Sequence, residues 1–171
     1  MTGSKFFNKY TCRNDLMHAM DHHGVYGMIF ASVLWYLVHN DGKPSLGSTQ
    51  AARIEMINVY LKDFYRRNPG INSRIKRIDA KNINSTGPAD YAALGGPHIK
   101  AANTRQAMPF LKDIADRVLT DADDINHLLI HKLINCTLDF NRLMYSSGVF
   151  FTERELAELK TATEGIGMFL Q

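Results

Sequence analysis

The sequence predicts an all-α protein, a bundle-like array of six or seven helices around a buried central helix at about residues 25–38. Three observations predict it. Apolar residues recur at three- and four-residue intervals through most of the chain, the spacing that places them on one face of a helix. The run from Gly24 to Val38 is uncharged and apolar all round, which marks a helix surrounded by others rather than one lying on the surface. No internal repeat, low-complexity tract or long linker divides the 171 residues. They read as a single domain, 1–171, long enough to bury a core without metals or disulfides.

An opening helix is expected from about Asn14 to His23, with Leu16, Met17 and Met20 as its apolar contacts and Gly24 bending or ending it. The Gly24–Val38 run follows. As a helix it spans roughly 22 Å, short of the roughly 30 Å of a bilayer core. It contains Gly24, Gly27 and Ser32 and lacks a basic flank, so it reads as a core helix and no membrane association is expected. Gly27 and Ala31, four apart, let a neighbouring helix approach closely. Asn40-Asp41-Gly42-Lys43-Pro44 is a turn by composition.

Ser48 can cap a helix running to about Arg67. Ile54, Ile57, Leu61 and Phe64 form its stripe, while Arg53, Glu55, Lys62 and Arg66 lie elsewhere. Asn68-Pro69-Gly70 stops it. Ile71, Ile75 and Ile78 repeat at four and three, which predicts a short basic helix over 72–81. Residues 82–97, with Pro88, Gly95, Gly96 and Pro97, form the longest irregular stretch. Pro97 can start the next helix, and Pro109 divides it into pieces 98–107 and 109–119 meeting at a kink. The second piece buries Leu111, Ile114, Ala115 and Val118.

Thr120 with Asp123 is expected to start the longest helix, and Asp121, Asp123 and Asp124 place negative charge where the helix dipole favours it. Ile125, Leu129, Leu133, Cys136, Phe140 and Leu143 are its predicted core stripe, and Ser146-Ser147-Gly148 closes it. The last helix opens on a capping box, Thr152-Glu153-Arg154-Glu155, with Phe151 and Leu156 as its hydrophobic staple. Leu156, Leu159, Ile166 and Phe169 form its apolar face. Met168-Phe169-Leu170 then runs to Gln171 without a cap. That end points to a protein partner docking there, or to a chain that is a fragment or subunit of something larger.

Cys12 and Cys136 are the only cysteines, which excludes a disulfide scaffold and a zinc ribbon and fits a reducing compartment. Met1 to Asp15 is polar and carries no apolar run of the signal-peptide type. The expected location is intracellular, cytoplasmic or nuclear. Asn84-Ser85-Thr86 and Asn135-Cys136-Thr137 match the glycosylation sequon but carry no weight without a secretion signal.

The net charge of +3 conceals an asymmetry. Residues 62–81 hold Lys62, Arg66, Arg67, Arg74, Lys76, Arg77 and Lys81 against Asp63 and Asp79, so this segment carries +5 and the rest of the chain −2. Tyr60, Phe64 and Tyr65 are interleaved with the cations. Cations that neutralise phosphates release counterions, and exposed rings stack on unpaired bases, so nucleic acid or another polyanion is the expected partner. The plainer reading puts Tyr60 and Phe64 in the core and leaves the cations as a solvated face.

His18-Ala-Met-Asp-His22 and His127-Leu-Leu-Ile-His131 each place two imidazoles one helical turn apart, a spacing that lets one helix supply two ligands to zinc or iron. Asp123 lies four residues before His127 on the same face. The His-Glu-x-x-His protease motif and the Glu-x-x-His pairs of di-iron bundles are absent. Surface histidines, or histidines bonded to backbone at helix ends, explain the spacing equally well. No other cofactor is expected. Gly95-Gly96-Pro97-His98 before a helix lacks the Lys-Ser/Thr of a P-loop and the three spaced glycines of a dinucleotide site. No Gly-x-Ser-x-Gly occurs, and neither cysteine has a partner histidine nearby.

Three classes therefore stand. The first is a helical interaction module, nucleic-acid-associated through residues 62–81. The second is a helical accessory region of a larger DNA- or RNA-processing enzyme such as a transposase. The third is a histidine-rich metal protein. The pattern leans away from a free-standing enzyme.

Overall fold

In a computed structural model the described residues are 20, 24–40, 44–84, 93–94, 99, 101–147 and 150–168. The helix α1, Val25–His39, buries Tyr26, Ile29, Phe30, Ala31, Val33, Leu34, Leu37 and Val38. With so little polar surface it gains stability only by being covered, and three other helices and a short ladder do that. Helix α2 is Gln50–Arg67, α3 Ala101–Val118, α4 Ile125–Ser146 and α5 Glu153–Gly167. Two-residue strands β1, Ile83–Asn84, and β2, Ala93–Leu94, pair antiparallel with Ile83 opposite Leu94. Helices α2, α3 and α4 and the β1–β2 ladder all contact α1, and α5 packs on α4. The all-α class holds, and α1 is the buried centre the sequence predicts. None of the helices among the described residues is long and apolar enough to cross a membrane.

The helix count is corrected. Five α-helices occur among the described residues rather than six or seven. The expected opening helix lies outside the described residues except for Met20, whose half-buried side chain packs on the core. The two helices expected around Pro109 are one, α3, with the proline inside it. Pro109 is exposed, whereas Met108, Phe110, Leu111 and Ile114 beside it are fully buried. Each such side chain contributes about 1.5–3 kcal/mol on burial, which together outweighs the roughly 3 kcal/mol that proline costs inside a helix. The helix expected at 72–81 is also absent: the chain forms neither helix nor strand over 71–79 and then makes a single 3-10 turn at Ala80–Asn82.

Caps and faces shift as well. Thr49 rather than Ser48 caps α2, its Oγ1 accepting from the Ala52 N–H at 3.2 Å. Asp124 rather than Thr120 or Asp123 caps α4, accepting from the Asn126 N–H at 2.9 Å. The buried side of α4 runs through His127, Ile134, Thr137, Phe140 and Leu143, with Leu133 and Cys136 half-buried. Ile125 and Leu129, expected in the core, are exposed. The capping box of α5 is as the sequence predicts: Thr152 Oγ1 accepts from the Glu155 N–H at 3.2 Å, and Glu155 accepts from the Thr152 N–H at 2.7 Å. On its apolar face Ile166 is buried, Leu159 is half-buried and Leu156 is exposed, while Phe169 lies outside the described residues.

One arginine joins α1 to α2. Arg53, read from the sequence as a polar-face residue, is only 2% exposed. It donates to the Val38 carbonyl at 2.6 Å, to Gly47 at 3.0 Å and to Ser48 at 3.4 Å. The last carbonyls of a helix lack intrahelical donors and carry the negative end of its dipole, so a guanidinium is the natural cap for α1. Gly47 has φ +119°, and a Cβ there would sit 2.8 Å from that of Ala52, so the loop bonded by Arg53 requires glycine.

Helices α4 and α5 meet closely where Gly165 faces Cys136. A Cβ at Gly165 would lie 2.4 Å from Cys136 Sγ and 3.3 Å from its Cβ. Gly165→Ala should therefore destabilise the protein by about 1–3 kcal/mol. Adding Cys136→Ala, which removes the clashing sulfur, should cost less than the sum of the two single changes. Chemical denaturation of the four proteins of this cycle measures the coupling.

Candidate polyanion-binding surface

The basic segment is built from two pieces of different structure. The C-terminal half of α2 presents Lys62, Arg66 and Arg67, all exposed. After Asn68-Pro69-Gly70 the chain crosses back as an irregular strap over 71–79, carrying Arg74, Lys76 and Arg77, and the 3-10 turn adds Lys81; these four are also exposed. All seven predicted residues are thus on the surface.

The strap has no ladder partner among the described residues, and side chains from the flanking helices bond its backbone instead. The Ser73 N–H donates to Gln106 Oε1 at 2.9 Å, and the Ile75 N–H to the Tyr65 hydroxyl at 3.0 Å. Asn58 bonds both sides of Ile78: its Oδ1 accepts from the Ile78 N–H at 2.8 Å, and its Nδ2 donates to the Ile78 carbonyl at 2.8 Å. Asn103 Nδ2 donates to the Arg74 carbonyl at 3.0 Å. Ile75 and Ile78 are buried beneath. Buried backbone groups must be paired, and here α2 and α3 supply the partners that a helix would have found within itself. Burial pushes the Tyr65 phenol above its usual value, so its hydroxyl remains protonated at neutral pH.

The cations divide into two groups. Arg66 donates to Asp63 at 2.6 Å. Arg67 bridges Asp63 at 3.0 Å and Asp113 at 2.7 Å. Arg117 on α3 approaches the same two acids at 3.5 and 3.4 Å. Arg77 pairs with Asp79 at 2.9 Å and with Glu55. The guanidiniums of Arg66 and then Arg67 hold the Asp63 carboxyl below its usual value. Asp113 raises Arg67, and Asp79 raises Arg77. Lys62, Lys76 and Lys81 make no ion pair with any described residue. Arg74 lies 5.3 Å from the Tyr65 ring centre and donates to the carbonyls of Ile71 at 2.7 Å and Pro69 at 3.2 Å. Exposed pairs of this kind contribute about 0–1 kcal/mol, so they restrain the arginines only weakly.

The aromatic residues of the segment are withdrawn. Phe64 and Tyr65 are buried, and Tyr60 is half-buried with Arg117 5.5 Å from its ring centre.

Of the four histidines, His18 and His22 lie outside the described residues. His127 is buried: its Nδ1 accepts from the Asp121 N–H at 3.2 Å, its Nε2 faces Asp124 at 3.2 Å, and its ring meets Tyr36 edge-on. His131 Nε2 bonds the Leu119 carbonyl at 2.9 Å, and its Nδ1 lies 3.6 Å from Asp116. Both therefore secure the α3–α4 connection, and a metal ion would have to displace those bonds. No cluster of three or more His, Cys, Asp or Glu suited to a metal occurs among the described residues.

Sequence reasoning missed the side chains that hold the strap. The signal for Asn58 was present, since it lies four residues after Ile54 and three before Leu61, beside a core stripe, where an amide requires buried partners. Gln106, Asn103 and Asp113 gave no comparable signal. No family model, curated protein or solved structure matches this chain.

Two outcomes follow from this geometry. Asn58→Ala leaves both backbone groups of Ile78 without the partner they now have, so it should cost roughly 2 kcal/mol or more, read by chemical denaturation. Asp63 has a folded-state value below its unfolded one. Its contribution is thus present above the ordinary carboxylate range and lost as pH falls through the depressed value. Asp63→Asn should make stability less sensitive to acid below about pH 4, and a pH series of melting temperatures checks the slope.

Proposed function

We propose that the protein is a helical interaction module that binds nucleic acid through residues 62–81. The observation that supports this reading is the strap. A segment without regular structure, its main chain held by two helices, projects Arg74 and Lys76 outward beside further exposed cations. Lys62, Lys76 and Lys81 have no acidic partner among the described residues to offset their charge. A phosphate chain supplies that counter-charge and releases its condensed ions on binding. The acids Asp63, Asp113, Asp79 and Glu55 temper Arg66, Arg67 and Arg77, and these exposed pairs are weak enough to be exchanged for phosphate.

The test is charge reversal at the three lysines, Lys62→Glu, Lys76→Glu and Lys81→Glu together. Arg77 is left intact because a glutamate there would face Glu55 and Asp79. Oligonucleotide affinity at low salt should drop strongly, and the slope of log affinity against log salt should fall by roughly 0.7–0.9 for each phosphate no longer neutralised. Stability should change by no more than about 0.5 kcal/mol per substitution. An unchanged slope, or no oligonucleotide binding by the unaltered protein at low salt, overturns the proposal.

A further inference from the structure

We infer that this surface takes the phosphate backbone of a double helix and does not read unpaired bases. The inference rests on the proposed nucleic-acid binding and narrows it to one form of nucleic acid. Recognition of single strands needs exposed ring faces on which bases stack. The three rings interleaved with the cations do not offer them. Phe64 is 4% and Tyr65 7% exposed. Tyr65 also commits its hydroxyl to the Ile75 N–H and has Arg74 near its ring. Tyr60 is half-buried in the core with Arg117 near its ring.

The amides behind the strap, Asn58, Asn103 and Gln106, are spent on holding its backbone. They bond the N–H groups of Ser73 and Ile78 and the carbonyls of Arg74 and Ile78, and the Tyr65 hydroxyl accepts from the Ile75 N–H. The cations face outward from a helix and a clamped strap. Such a surface contacts phosphates without regard to sequence. A duplex presents one negative charge per roughly 1.7 Å of axis, about twice the density of a single strand.

Fluorescence anisotropy with a labelled duplex of about 20 base pairs, its isolated strand and a scrambled duplex tests this. The duplex should bind several-fold more tightly than the strand, with a steeper salt slope, and scrambling should change affinity by less than twofold. Tyr60→Leu, which keeps the apolar bulk and removes the ring, should leave both affinities within twofold of the unaltered protein. A single strand bound as tightly as the duplex, or a fivefold loss of strand binding in Tyr60→Leu, overturns this inference while leaving nucleic-acid binding standing. Binding to neither probe at low salt overturns both.

Discussion

A helix with no polar face cannot stand at a surface, and α1 imposes that requirement on everything around it. Its buried residues face in several directions, so it must be covered on several sides at once. Helices α2, α3 and α4 and the β1–β2 ladder supply the cover. Enclosing a helix this way creates a difficulty at its C-terminal end, where carbonyls lose both intrahelical donors and water. The buried guanidinium of Arg53 answers it by bonding Val38 and, in the same fork, the loop carbonyls of Gly47 and Ser48. An ammonium could not span three carbonyls in that planar geometry.

The surface grows out of the same packing. Because α2 and α3 both cover α1, they also lie close to one another, and the strap crosses them. Its isoleucines point inward and its cations outward. The two helices also share the Asp63–Arg67–Asp113–Arg117 network. This places acidic groups among the cations and leaves Lys62, Lys76 and Lys81 as the part with no acidic partner among the described residues.

Features governed by local chemistry were legible in the sequence. The Thr152–Glu155 capping box, the stop at Asn68-Pro69-Gly70 and the uncharged run of α1 each depend on a few neighbouring residues. Exposure of the seven cations followed from the cost of burying unpaired charge. Features that depend on distant partners were not legible. Ile71, Ile75 and Ile78 suit a helix by spacing, yet Ile78 is bonded by Asn58, twenty residues earlier. Pro109 signals a break, yet the burial on either side of it overrides the local cost. The face of α4 was misread because two polar residues occupy buried positions: His127 bonds the preceding loop, and Thr137 donates to the Leu133 carbonyl at 2.7 Å. Neither partnership is visible from residue type.

The strap has a consequence for how the protein opens. A β-strand held in a sheet can share its fate with neighbouring strands, and a helix can fray from one end. The strap has neither option, because its amides are held by Gln106 on α3 and by Asn58 and Tyr65 on α2. Drawing the helices apart breaks one set of these bonds or the other, and freeing the strap from both exposes Ile75 and Ile78 and strips those side chains of their partners. The strap, α2 and α3 therefore belong to one cooperative unit. The cations that face solvent are mounted on the same foldon that closes over α1, rather than on a loop that moves independently of it.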